Sequence, residues 1–127
     1  TGNQLGCAAA LACLDVFEKE QTLEKLQPVI LYLTKKLDQL YTKSDKIKDI
    51  RQAGFIAGVE ICASRNEGRD YNIVDKMGAT FCVKMRDKGV WIRPLGNTVV
   101  IVPPLITTIE EVDHLVDSME EVLNQFD

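Results

Sequence analysis

One arginine, Arg93, stands inside a stretch that is otherwise apolar and rich in β-branched residues, KGVWIRPLGNTVVIVPPL at residues 88–105. A cation in such a setting needs a counter-charge, because an unpaired buried ion costs several kcal/mol or more. Trp91 and Pro94 stiffen the backbone on either side of it. A guanidinium on a rigid strand can bind a carboxylate through two parallel hydrogen bonds, a geometry that suits arginine better than lysine. The stretch therefore predicts a binding site for a small organic acid at Arg93.

A second interpretation of Arg93 stays open at this point. Alternate residues of a strand point to opposite faces, so the side chain could meet solvent or an acidic residue such as Glu60 on a neighbouring strand. In that case Arg93 is a surface residue with no ligand.

Other catalytic side chains are scarce in this sequence. The single histidine, His114, lies among acidic residues on the polar side of a C-terminal helix, so we expect it to be exposed. We find no G-x-x-x-x-G-K phosphate loop and no nucleophile paired with a base. Acidic pairs such as Glu110 and Glu111 are expected to be helix-surface charges. The residues thus predict no catalytic group and no metal site.

The four cysteines, Cys7, Cys13, Cys62 and Cys82, have no C-x-x-C spacing and mostly apolar neighbours. We expect all four to be free and buried, as in a protein of the reducing cytoplasm.

Composition limits the classes of function. The chain has 127 residues, which fits one domain, and its 46% hydrophobic and 27% charged content is that of a globular protein. A net charge of −4 argues against a nucleic-acid partner, since phosphate binding relies on basic surface. No run of 18 apolar residues and no signal peptide occurs, so we expect neither membrane insertion nor secretion.

The first segment, TGNQLGCAAALACLDVFEKEQ, predicts a helix capped by Asn3 or Thr1 and apolar on nearly every side as far as Leu14. Such a helix needs protein around it, and a domain of this size can hardly surround its own first helix. We therefore expect the chain to be a fragment that meets a partner subunit or an upstream domain.

The remaining elements follow from periodicity and turn residues. Helical spacing of Leu26, Ile30, Leu33, Leu37 and Leu40 predicts a second helix over 22–44. Two strands then turn near Gly54, and residues 63–70 form an exposed, mobile loop. A third helix is expected from a cap at Asn72 to a stop at Gly89.

A hairpin and a closing helix complete the chain. Strands over 90–95 and 98–102 flank a Gly96–Asn97 turn. Thr107 and Glu110 predict a capping box for the last helix. Its buried stripe is Ile109, Val112, Val116, Met119 and Leu123. Tight returns between elements favour an α+β fold, a small and mainly antiparallel sheet with helices packed on one face.

Three segments resemble the class III pyridoxal-phosphate aminotransferases: TGNQLGCAAALACL (1–14), GFIAGVEI (54–61) and GVWIRPLGNTVVIVPPLITTIEEVDHL (89–115). The resemblance covers nearly the whole chain. It implies that residues 1–127 are the C-terminal small domain of a fold-type I homodimer, with the helix of residues 1–20 linking to a large domain. Pyridoxal phosphate and its Schiff-base lysine then belong to that upstream domain, so this chain is expected to be inactive and cofactor-free by itself.

The segment GVWIRPLGN is most similar to the class III members of biotin synthesis. This likeness implies that Arg93 binds the carboxylate of the keto acid 8-amino-7-oxononanoate, that S-adenosylmethionine donates the amino group, and that 7,8-diaminononanoate is the product. The family threonine that contacts the cofactor phosphate lies two positions before Thr1, so no cofactor ligand is named. Leu95 and Val100 replace residues that are aromatic in some members.

Two alternatives remain from the sequence. The first is another ω-aminotransferase of the class, acting on ornithine, γ-aminobutyrate or glutamate semialdehyde. The second is a non-enzymatic module that binds a carboxylate or dimerises.

Overall fold

The computed structural model describes residues 2–126. The described part of the chain forms four α-helices, one short 3-10 helix and four β-strands. In chain order these are α1 (Gln4–Glu20), α2 (Thr22–Lys43), β1 (Ile47–Ala53), β2 (Ile56–Ile61), the 3-10 helix (Ile73–Asp75), α3 (Met77–Asp87), β3 (Arg93–Leu95), β4 (Thr98–Ile101) and α4 (Ile109–Leu123).

The four strands form one sheet in the order β1-β2-β4-β3, and all neighbours are antiparallel. The turns fall where the sequence predicts them, because Gly54 and Gly96 adopt φ values of 59° and 61° that favour glycine. The predicted α+β class is confirmed.

The core lies on one face of the sheet. Val59 and Ile61 of β2 and Val99 and Ile101 of β4 are buried on that face, which α2, α3 and α4 cover. Burying a side chain of this size stabilises a fold by about 1.5–3 kcal/mol. The opposite face of the sheet, called the outer face below, carries the more exposed residues of the same strands.

The apolar stripes of α2 and α4 are largely confirmed. Leu26, Leu33, Leu37 and Leu40 are buried and Ile30 is partly buried. In α4 the stripe is broader than predicted, since Leu115, Ser118 and Val122 are also buried. Ile109 was wrongly included, because it starts the helix before the core and is 40% exposed.

The cap of α4 lies one residue later than predicted. The Thr108 hydroxyl oxygen accepts a hydrogen bond from the backbone N–H of Glu111. In return, the Glu111 carboxylate accepts a hydrogen bond from the backbone N–H of Thr108 at 2.8 Å. Thr107 and Glu110 were the wrong pair, because the Thr107 N–H donates to the Pro104 carbonyl in the preceding turn.

The predicted third helix is interrupted near its start. Asn72 caps the 3-10 helix, and Lys76, with φ of 52°, separates that helix from α3. Gly89, with φ of 77°, follows the end of α3 as predicted.

The loop of residues 63–70 is exposed in its second half but anchored at its start. Ser64 is buried because its hydroxyl donates to the Asp45 carboxylate, and the Arg65 guanidinium donates to the carbonyls of Tyr41 and Ile47. These bonds tie the loop to the end of α2 and the start of β1. Complete exposure was therefore the wrong expectation.

Helix α1 has no buried residue, although Leu5, Leu11 and Leu14 lie on it. Asn3 caps it as predicted, while the alternative cap, Thr1, lies outside the described residues. Cys7 and Cys13 are consequently exposed, which contradicts the expectation that all cysteines are buried. Cys62 and Cys82 are buried, and all four thiols are free as expected.

None of the helices within residues 2–126 has the length and apolar content needed to span a membrane.

Candidate carboxylate-binding site

Arg93 is the first residue of β3, a strand of three residues at the edge of the sheet. The predicted strand over 90–95 is shorter in the structure, because the Val90 N–H donates to the Met85 carbonyl of α3. The Gly96–Asn97 turn then returns the chain into β4, which pairs with β3 in antiparallel register.

The register places Arg93 on the outer face. Arg93 lies opposite Val100, Val100 opposite Gly58, and Gly58 opposite Arg51. Residues that lie directly opposite each other share one face of a sheet, so these four residues lie on the same face. The next pair along the strands, Val59 and Val99, lies on the opposite face and is buried. Arg93 therefore lies on the outer face of the sheet, in its edge strand.

The outer face has two chemically different halves. On the β1 side, Arg51 pairs with Glu60 at 3.4 Å, and Lys48 pairs with Asp70 at 2.7 Å. On the β3–β4 side, the exposed residues in the same alternation are apolar, namely Leu95 and Val102, and Ile56 at the start of β2 is also exposed and apolar.

The Arg93 side chain makes no hydrogen bond or ion pair with any residue between 2 and 126. Glu60, the partner considered from the sequence, is instead engaged by Arg51 and by Lys48, the latter at 3.5 Å. The structure thus combines an available guanidinium with apolar surface on both sides of it. This combination suits a carboxylate that carries an aliphatic chain.

A cleft of about 590 Å³ adjoins the hairpin. It lies between the β3–β4 segment and the residues that lead into α4, and Arg93, Trp91, Pro103 and His114 are among its lining residues. His114 is exposed as predicted, and its Nε2 lies 2.9 Å from the Lys88 carbonyl oxygen. The volume is within the range of small-molecule sites.

No group of three or more His, Cys, Asp or Glu residues in the described range is arranged to hold a metal ion.

The family model for class III aminotransferases matches residues 1–123. The chain belongs to the class III aminotransferase family. An adenosylmethionine-8-amino-7-oxononanoate aminotransferase of Geobacter sulfurreducens is 44% identical over 124 residues, which are 98% of this chain and 27% of that protein.

Solved structures of aminotransferases share this fold. The crystal structure of adenosylmethionine-8-amino-7-oxononanoate aminotransferase from Methanocaldococcus jannaschii is 38% identical, with a TM-score of 0.92 over 100% of this chain and 29% of that one. A PMP-bound aminotransferase from Vibrio fluvialis is 26% identical, with a TM-score of 0.85 over 94% of this chain and 26% of its own. The chain thus spans less than a third of the length of each of these relatives.

Family membership raises the question of whether this chain could hold the cofactor. A lysine that forms a Schiff base is desolvated and has a lowered pKa. No lysine between residues 2 and 126 is buried. The Lys36 ammonium pairs with Asp117 and Asp113, and these bonds raise the pKa of Lys36 instead of lowering it. The lysines described here therefore do not fit that role.

Proposed function

We propose that this chain is the C-terminal small domain, residues 1–127, of a pyridoxal-phosphate-dependent aminotransferase. In the whole protein the amino group moves from S-adenosylmethionine to 8-amino-7-oxononanoate and gives 7,8-diaminononanoate, a step of biotin synthesis. The family match and the names of the 44% and 38% identical relatives support this assignment. Helix α1 joins the domain to the large domain that carries the cofactor.

The observation that carries the proposal is the available cation of Arg93 next to apolar side chains. The proposed acceptor has a carboxylate at one end, a chain of methylenes, and a ketone near the other end. Arg93 donates N–H groups to the carboxylate, and the side chains of Leu95 and Val100 flank the first methylenes. Each charge-assisted hydrogen bond of this kind contributes about 1.5–3 kcal/mol.

Arg93 acts far from the reacting carbon. Holding the acid end fixes the direction of the chain, so that binding energy is used to orient the ketone toward the large domain. Pyridoxal phosphate, when bound there, supplies the electronic stabilisation for amino transfer. No residue between 2 and 126 is assigned a step in that chemistry.

The exposed apolar residues of α1, including Leu5, Leu11 and Leu14, need to be covered in the whole protein. We assign this cover to the large domain and to the second subunit of a homodimer. The four free cysteines fit a cytoplasmic enzyme, where thiols stay reduced.

The test uses the full-length enzyme with added pyridoxal phosphate. Incubation with S-adenosylmethionine and 8-amino-7-oxononanoate is expected to form 7,8-diaminononanoate, detected by mass spectrometry. Parallel reactions with ornithine and γ-aminobutyrate as donors test the other ω-aminotransferases. Faster turnover with either donor, or no diamine with S-adenosylmethionine, would contradict the proposal. The 127-residue chain alone is expected to form no product.

A further inference from the structure

The strand that carries Arg93 is attached to α3 at its first end. The Val90 N–H donates to the Met85 carbonyl at 3.0 Å, and the Arg86 guanidinium stacks over the Trp91 ring with 4.3 Å to the ring centroid. The last turn of α3 therefore holds the residues that enter β3.

The second end of the strand meets the first turn of α3. Gly78 of α3 is buried against the hairpin turn, and a Cβ placed on it would lie 2.1 Å from the Gly96 carbonyl oxygen. The same Cβ would lie 3.3 Å from the Asn97 Cα. Only glycine permits this approach, because carbon and carbonyl oxygen normally stay roughly 3.3 Å apart even in their closest favourable contacts.

Asn97 adds polar bonds to the same turn. Its Nδ2 donates to the Tyr71 carbonyl at 2.9 Å, and its own carbonyl accepts from the Ile61 N–H at 2.9 Å. The turn is thus fixed from both the segment before α3 and the end of β2.

The position of Arg93 depends on these contacts because β3 has little support of its own. It has three residues, pairs only with β4 among the described strands, and includes Pro94, which has no N–H to donate. The sheet by itself leaves such a short edge strand free to shift.

We propose that α3 sets the position of the Arg93 guanidinium and that Gly78 is its positioning residue, an inference that rests on the proposed function. A methyl group at residue 78 pushes the Gly96 carbonyl away by about 1 Å if it is to reach an ordinary contact distance. The displacement moves the turn that follows β3, since Gly96 is three residues from Arg93. Misplacement of a binding group by about 1 Å can lower a reaction rate by roughly 100-fold.

The experiment compares two acceptors in the full-length enzyme: 8-amino-7-oxononanoate and its methyl ester, which keeps the chain and the ketone but lacks the charge. Gly78→Ala is expected to lower kcat/KM for the acid by about 10- to 100-fold, mainly through KM, with the ester changed less than about 3-fold. Cys82→Ala, which removes core packing from the same helix four residues after Gly78, is the matched control. It is expected to lower thermal stability but to keep the acid-to-ester ratio.

Arg93→Ala in the same assay separates the two claims. If Arg93→Ala keeps the preference for the acid, the proposed function fails. If Arg93→Ala removes that preference while Gly78→Ala folds and keeps it, only the positioning role is overturned. Should Gly78→Ala not fold, as judged by circular dichroism, Arg86→Ala decides, because it removes the stacking of α3 on the Trp91 ring without adding volume. An unchanged acid-to-ester ratio in folded Arg86→Ala then overturns the inference, and a reduced ratio supports it.

Discussion

Arg93 lies directly opposite Val100 across the β3–β4 ladder, so a guanidinium and an isopropyl group share the outer face of the sheet. A cross-strand acid at this position would neutralise the arginine, and a valine cannot. The guanidinium is therefore kept available beside apolar surface. This arrangement distinguishes Arg93 from Arg51, which lies in the same row and is paired with Glu60 and Asp49.

Replacing Arg93 by alanine removes the proposed carboxylate contact. In the full-length enzyme we expect kcat/KM for 8-amino-7-oxononanoate to fall about 100-fold, equivalent to roughly 3 kcal/mol of lost transition-state stabilisation. Steady-state kinetics with the acid and its methyl ester measure the effect. Arg51→Ala is the control, and we expect it to change either value less than 2-fold or so, because Arg51 already has acidic partners. Equal losses in the two variants would show that Arg93 has no special role.

Replacing Val100 by aspartate tests whether the Arg93 guanidinium is available to pair with a carboxylate. Directly opposite Cβ atoms in an antiparallel pair are about 4.5–5.5 Å apart, so the new carboxylate can pair with the guanidinium and compete with the substrate. We expect Val100→Asp to raise KM for the acid nearly as much as Arg93→Ala does, whereas Val100→Asn, of similar size and uncharged, has a smaller effect. Similar KM values for the aspartate and asparagine variants would contradict charge capture.

Much of the fold follows from local patterns in the sequence. The spacing of Leu33, Leu37 and Leu40 identifies the buried face of α2, and glycines at 54 and 96 identify the turns. The cap of α4 could not be chosen, because Thr107 and Thr108 are each followed three residues later by a glutamate. A local turn decides between them, because the Thr107 N–H donates to the Pro104 carbonyl three residues earlier.

The candidate site was predicted in its central residue but not in its surroundings. Which arginine pairs with Glu60 depends on strand order, and β1 lies beside β2 while β3 does not. Gly78 does carry a signal in the sequence, because glycine in a helix costs about 1 kcal/mol relative to alanine and its presence there suggests close packing. Only the structure shows that the neighbour is the turn next to Arg93.

Alanine substitutions at the two threonines test the corrected cap. Thr108→Ala removes the side-chain acceptor and is expected to destabilise the start of α4 by about 1 kcal/mol. Thr107→Ala leaves the backbone bond to Pro104 intact and is expected to have little effect. Hydrogen exchange of peptides covering residues 108–112 in the full-length enzyme reports the difference. Faster exchange in Thr107→Ala than in Thr108→Ala would restore the pair predicted from the sequence.

Thiol labelling tests whether α1 is covered in the whole protein. Cys62 and Cys82 are buried, and burial raises the pKa of both thiols, so we expect neither to react with a maleimide near pH 7. Cys7 and Cys13 are exposed in this structure, yet we expect them also to be protected in the full-length enzyme because α1 joins the large domain. Mass spectrometry of labelled peptides identifies each site, with unfolded enzyme as the positive control. Rapid labelling of both Cys7 and Cys13 in the native enzyme would contradict the assigned place of α1.

The contact between α2 and α4 is expected to weaken in acid through Asp113. Hydrogen bonds from Lys36 and from the Tyr32 hydroxyl, at 2.9 and 2.8 Å, lower the pKa of Asp113 below its ordinary value of 3.8. A lowered folded-state pKa stabilises the folded form above the ordinary value, and this stabilisation is lost as pH falls through the lowered one. Asp113→Asn should therefore reduce hydrogen-exchange protection of α2 and α4 at pH 7, with a difference from the wild type that disappears as the pH falls below about 3.8. Asp38→Asn, on an exposed position of α2, should show no such pH-dependent difference. A difference for Asp113→Asn that stays constant from pH 7 to below that range would assign its effect to packing rather than to charge.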